Sequence, residues 1–196
     1  MADEGRTRSP AGDRVWRTAC ELFSREGIRS VGVAEIAETS GVGKPSLYRN
    51  FGSKDDLAVA YVRAQAVEGL ESFDVARKAF PGDPMAQLRH VIARVATEMG
   101  TPGYRGCVIA NTAIEFPDRA HPVRVAVDEL KAEYLRRLTE LVSQLPVRDP
   151  GELAYALQML MEGASATAQF FTTERSRAAL TETTDRLIDS YLSAEG

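Results

Sequence analysis

The sequence predicts an all-α protein of about nine helices, and three observations lead there. Apolar residues recur at steps of three and four almost from end to end. Ser9-Pro10, Asp83-Pro84 and Asp149-Pro150 each stand before an apolar stripe as N-cap and first helical residue. No alternation of apolar and polar residues is long enough for a strand. At 196 residues, 44% hydrophobic and 27% charged, the chain has room for one domain or two small ones around a real core. A net charge of -4 rules out a uniformly basic nucleic-acid coat. Cys20 and Cys107 lie far apart, and His90 and His121 are the only histidines, so no disulfide scaffold, zinc site or cofactor is expected. That cysteine usage points to a reducing cytoplasm.

The elements follow in order. Val15, Trp16, Ala19, Leu22 and Phe23 stripe a first helix, entered at Ser9-Pro10 or Asp13 and stopped by Gly27. Val33, Ile36 and Ala37 make a short second helix ending before Gly41. A third short helix follows Gly43, with Pro45 tolerated in its first turn, and Gly52 ends it. Ser53 and Asp56 resemble a capping box that opens a long helix to about Arg77. After Pro81-Gly82-Asp83-Pro84, further helices are expected through Met99, from about Tyr104 to Phe116, from Val123 to Leu145, from 150 to 171, and through Leu180 to Leu192. The division expected is a flexible arm over 1–12, a first domain over 13–57 with a connecting helix to about 77, and a second domain over 78–196.

The stretch from Leu153 to Phe171 is apolar nearly all round, but Glu162 would sit near the middle of a bilayer, so a soluble helix is expected and no membrane span. Two readings are open for it and its C-terminal neighbour: they bury each other within one subunit, or they form a homodimer surface.

Residues 33 to 51 have the spacing of a helix-turn-helix, with Gly41 supplying the tight turn. Between Thr39 and Lys54 there is no acidic residue, while Lys44, Arg49 and Lys54 are basic. The first 56 residues hold nine basic and nine acidic side chains, so the whole negative excess lies beyond them. On the third helix, Lys44, Pro45, Ser46, Arg49 and Asn50 are positioned to enter a major groove, with Arg49 offering a fork to guanine and Asn50 reading adenine or binding phosphate. Tyr48 and Lys54 would reach the DNA backbone, and Leu47 and Phe51 face inward. A solvated basic face on a small bundle is the competing reading.

The run Ala19-x-x-Leu22-Phe23-x-x-x-Gly27, then Ile36-Ala37, then Gly41 through Lys54 with Leu57 strongly resembles the N-terminal domain of TetR-family transcriptional regulators. The resemblance implies a cytoplasmic homodimer that binds a roughly palindromic operator through the third helix of each subunit. It also implies a C-terminal domain that binds a small effector and releases DNA. Two positions depart from the family pattern: Gly32 and Gly43 stand where a hydroxyl residue usually caps the second and third helices. Glycine caps nearly as well but brings no hydroxyl to a phosphate. Asn50 stands where the family frequently has His. The alternative is an all-α small-molecule or protein-binding module whose helix-turn-helix is vestigial.

In the C-terminal part, Cys107, Asn111 and Glu115 fall at i, i+4 and i+8 on one helical stripe, the candidate effector pocket. Gly106-Cys107-x-x-x-Asn111 resembles an element of one branch of the family, some members of which sense electrophiles through that cysteine. Cys107 near a helix N-terminus with Arg105 beside it is either a reactive thiol or a small buried side chain. Asn111 and Glu115 either line a pocket or hydrogen-bond between helices. Enzyme motifs are absent: Gly43-Lys44 is followed by Pro45, and Glu38 occupies the position where a phosphate-binding loop needs glycine.

Overall fold

In the computed structural model, which describes residues 8–192, nine helices are present among the described residues. They are α1 (Pro10–Glu26), α2 (Val33–Ser40), α3 (Lys44–Phe51), α4 (Lys54–Ala79), α5 (Pro84–Glu98), α6 (Val108–Glu115), α7 (Pro122–Val142), α8 (Pro150–Thr167) and α9 (Thr173–Tyr191). The only β-type pairing among these residues is an isolated bridge between Val147 and Leu192.

The expected caps close the helix starts. Ser9 accepts from the Gly12 amide at 3.0 Å, Asp83 from Ala86 at 2.9 Å, and Asp149 from Glu152 at 3.1 Å. Each fills one of the donors a helix start leaves unpaired. Because Ser9 is the cap, α1 begins at Pro10, and residues 10–12 are helix rather than arm; of the expected arm, 1–7 lie outside the described residues. The helix expected over Tyr104 to Phe116 contracts to α6, because Gly106 takes φ 84 and breaks the turn ahead of it. The helix expected to reach residue 171 ends at Thr167, leaving Phe170 and Phe171 exposed in the turn before Thr172 caps α9.

The chain forms two compact units, one of Met1–Ala64 with Thr112–Val127, the other of Gln65–Asn111 with Asp128–Gly196. Residues 112–127, which the division expected along the chain places with 78–196, pack in the compact unit of the N-terminal helices. In the first unit, α1, α2 and α3 contact one another in every pairing. Their core includes Val15, Phe23, Ile36 and Leu47, with Leu57 and Tyr61 from the start of α4. Phe23 meets Tyr61 edge to face at 5.5 Å, and Trp16 stacks on Phe51 at 6.4 Å. Burying each large apolar side chain contributes about 1.5–3 kcal/mol, which is what holds helices of eight residues that would not persist alone.

In the second unit, α5, α8 and α9 pack around Leu88, Ile92, Leu153, Leu157, Leu180 and Ile188. The near-continuous apolarity of α8 divides between two faces. Leu153, Leu157 and Met161 enter the core, while Tyr155 and Met159 remain 54% and 59% exposed. No helix among the described residues is long and apolar enough to cross a membrane.

Candidate functional site

The turn between α2 and α3 is built by Gly41, which takes φ 64. The Gly41 amide donates to Glu38 O and that of Val42 to Ala37 O, the paired bonds of a glycine-closed helix end. Val42 is buried beneath, which sets the entry direction of α3. Leu47 has no exposed surface, and this anchor turns the opposite face of α3 outward. Lys44, Pro45, Tyr48 and Arg49 are exposed on it, and Ser46 is half-buried at its edge.

Asn50, expected at the DNA, is held within the protein. Its amide nitrogen donates to Ser46 O at 2.7 Å, and its carbonyl oxygen accepts from the Ser9 hydroxyl at 3.0 Å. A Cβ on Gly12 would stand 2.6 Å from that oxygen. The side chain therefore fastens α3 to the start of α1, with both ends of its amide engaged within the protein. Lys54 stands at the first turn of α4, after Ser53, whose hydroxyl accepts from the Asp56 amide at 3.0 Å. The Lys54 ammonium reaches Arg29 O at 3.4 Å, and burial pushes its pKa below the ordinary lysine range.

Neither Gly32 nor Gly43 supplies a side-chain cap; at Gly32 the only help is Glu35, whose carboxylate accepts from the Gly32 amide at 3.4 Å. Both glycines have negative φ, and a Cβ would meet its nearest neighbour at 4.0 Å on Gly32 and at 3.7 Å on Gly43. Gly32→Ser and Gly43→Ser are therefore expected to stabilise the protein by a few tenths of a kcal/mol each. They should also tighten operator binding with an unchanged salt slope, because a hydroxyl displaces no counterion. Urea midpoints and anisotropy titrations check both.

The three residues expected on one stripe keep helical spacing, the Asn111 backbone amide donating to Cys107 O at 2.9 Å, but their side chains meet different partners. Glu115 belongs to the first unit, where its carboxylate accepts from the Arg29 amide at 2.8 Å and its carbonyl from the Arg29 guanidinium at 3.0 Å. That guanidinium also lies 5.6 Å over the Phe116 ring. The pocket role expected of Glu115 is thereby corrected: the residue ties 112–127 to the turn after α1. Arg29 carries no sequence signal for this, since the pair is 86 positions apart. Glu115→Ala is expected to destabilise the first unit by about 1–2 kcal/mol through loss of the charge-assisted hydrogen bond from the Arg29 amide. Trp16, the single tryptophan, lies in that unit and reports its unfolding by fluorescence.

Asn111 is not in the wall of the cavity beside Cys107: its side-chain amide donates to Arg105 O at 2.8 Å and closes the loop before α6. Cys107 does line a cavity, of about 110 Å³, that lies wholly in the second unit. Its apolar wall includes Leu70, Val95, Ile109, Leu130 and Met161; its polar groups include Arg94, Glu98, Lys131, Gln158 and Glu162. The cation at Cys107 is Lys131, whose ammonium lies 3.5 Å from Sγ and pairs with Glu162. Burial works against the Lys131 charge, but Cys107 and Glu162 outweigh it and raise its pKa. Burial pushes the Tyr134 phenol up to about 12, so it stays a neutral hydroxyl. Sequence reasoning missed Lys131, Glu162 and Arg94, which come from separate helices and share no motif. Among the described residues no group of three or more His, Cys, Asp or Glu is gathered to hold a metal.

The model of bacterial regulatory proteins of the tetR family matches residues 16–61, and that of the tetracyclin repressor-like C-terminal domain matches 84–184. The chain is 30% identical over 165 residues to the transcriptional regulator AcuR of Cereibacter sphaeroides, covering 80% of this chain and 75% of that one. It is 29% identical over 180 residues to the transcriptional activator FasR of Mycolicibacterium smegmatis, covering 91% and 75%. A crystal structure of a TetR-family transcriptional regulator from Streptomyces coelicolor superposes with a TM-score of 0.89 at 32% identity, over 95% of this chain and 98% of that one.

Proposed function

Because the chain belongs to the TetR family of DNA-binding transcriptional regulators, which are not enzymes, we propose that it is a repressor released from a palindromic operator by a small effector. The observation that carries the DNA-binding part is the outward face of α3. Lys44, Tyr48 and Arg49 are exposed in an acid-free segment, over a fully buried Leu47 that holds the helix in place. Arg49 reads a base edge, Lys44 and Tyr48 hold phosphates, Pro45 and Ser46 pack along the groove, and Lys54 meets the DNA backbone from the start of α4. Asn50 serves by positioning α3.

The protein acts as a homodimer through α8 and α9. Tyr155 and Met159 offer an exposed apolar stripe on α8, and Gly163, one turn further and open around its Cα, lets a partner helix approach closely. Two reading heads then meet half-sites about 34–36 Å apart. The effector occupies the cavity lined by Cys107, Lys131 and Glu162. Helices α4, α6 and α7 each carry cavity residues along one stretch and residues of the first unit along another, so a ligand there biases the spacing of the heads.

Selection of genomic fragments by the purified protein tests this reading. Enrichment of one palindrome, and its loss in Lys44→Ala with Arg49→Ala, is expected. Fragments without a common sequence would leave only the alternative, a binding module with a vestigial helix-turn-helix.

A further inference from the structure

We infer that the cavity of the second unit takes a small uncharged molecule with an apolar body and one group that both donates and accepts a hydrogen bond, such as a primary carboxamide or an alcohol. The inference rests on the reading of this cavity as the effector site.

Charge is the first argument. Four ionic side chains stand in the wall, two cations and two carboxylates, and they already form two pairs: Arg94 with Glu98 at 2.9 Å, and Lys131 with Glu162. An anionic ligand seeking Arg94 or Lys131 would have to displace a tethered carboxylate and then remain beside it. A cationic ligand seeking Glu98 or Glu162 meets the mirror problem. In a partly desolvated site either exchange gives up an established pair and leaves a like charge close by, so net charge on the ligand is disfavoured.

The second argument is hydrogen-bond satisfaction. Gln158 Oε1 and Arg94 Nε are sealed from solvent and have no hydrogen-bond partner within the protein. Both residues line this cavity. One orphan is an acceptor and the other a donor, so a single ligand group satisfies both only if it donates and accepts. Buried polar groups left unpaired are costly, and a ligand that pairs them gains what the free protein lacks. Several other polar groups of the wall are engaged: the Tyr104 hydroxyl with Ser165, that of Tyr134 with Arg94 and 3.8 Å from Met161 Sδ, and the Cys107 sulfur with Lys131. Leu70, Val95, Ile109 and Leu130 then hold the apolar body.

The test uses the full chain and four probes of one chain length at neutral pH: butanamide, 1-butanol, butanoate and butylammonium. Binding is followed by protein-observed NMR, and operator retention by anisotropy on the selected palindrome. Butanamide and 1-butanol are expected to bind about tenfold or more tighter than either ion. Gln158→Leu, and separately Gln158→Met, should weaken both neutral probes about tenfold while the thermal midpoint shows the variant folded. An ion binding as tightly as its neutral partner, binding by none of the four, or neutral-probe affinity unchanged in both Gln158 variants would overturn the inference. Butanoate that releases DNA would refute the ligand class and keep the effector reading. Neutral probes that bind through Gln158 and leave operator affinity unchanged would keep the class and refute the effector reading.

Discussion

Arg49→Ala is expected to weaken operator binding by about 2–6 kcal/mol. A bidentate arginine on guanine discriminates by about 1–3 kcal/mol, and a homodimer gives it up at both half-sites. Arg49 is exposed on the reading face, its helix fixed from behind by Leu47 and Asn50, so removing it leaves the fold in place. The circular-dichroism melt should match that of the unmutated protein. Anisotropy titrations between about 50 and 200 mM salt separate base reading from phosphate binding. Removal of a base-reading side chain, as in Arg49→Ala, costs affinity with little change of slope, whereas Lys44→Ala flattens the dependence of log affinity on log salt. Unaltered affinity in Arg49→Ala would remove α3 from the interface.

Leu47→Ala should be worse for the protein and as bad for its binding. The side chain has no exposed surface, and truncation of such a leucine costs about 2–5 kcal/mol in lost burial and residual cavity. Against a typical domain stability of about 5–15 kcal/mol, that is a large part of what holds the first unit. Trp16 stacks on Phe51 at the far end of α3, so its fluorescence reports loosening of that helix directly. Its denaturation midpoint should fall sharply, while far-UV dichroism, carried by helices of both units, retains a later transition. A Trp16 midpoint equal to that of the unmutated protein would show that Leu47 does not anchor α3.

The helices are legible in the sequence because their signals are local. Capping oxygens, prolines at first turns and three-four spacing all act within a few residues, and Ser9, Asp83 and Asp149 cap the helices that these signals predict. The departures have the same origin. Gly106, inside the helix that periodicity predicts, takes a left-handed conformation that periodicity does not encode, and α6 starts late. Along the stripe of Cys107, Asn111 and Glu115, the neighbours that packing brings in give one residue to a cavity wall, one to a loop closure and one to a tie with Arg29.

What the sequence by itself determined is the all-α class, the helix-turn-helix with its acid-free basic face, and the family to which these motifs belong. Each is written in residues within about one helical turn of each other, where backbone geometry and charge density follow from order along the chain. Only the tertiary structure decided that Asn50 braces α3 and that Lys131 and Glu162 flank Cys107. It alone joined Glu115 to a turn 86 residues earlier. Those partners meet because packing of apolar faces brings distant helices together, and the polar groups carried with them pair according to where that packing leaves them.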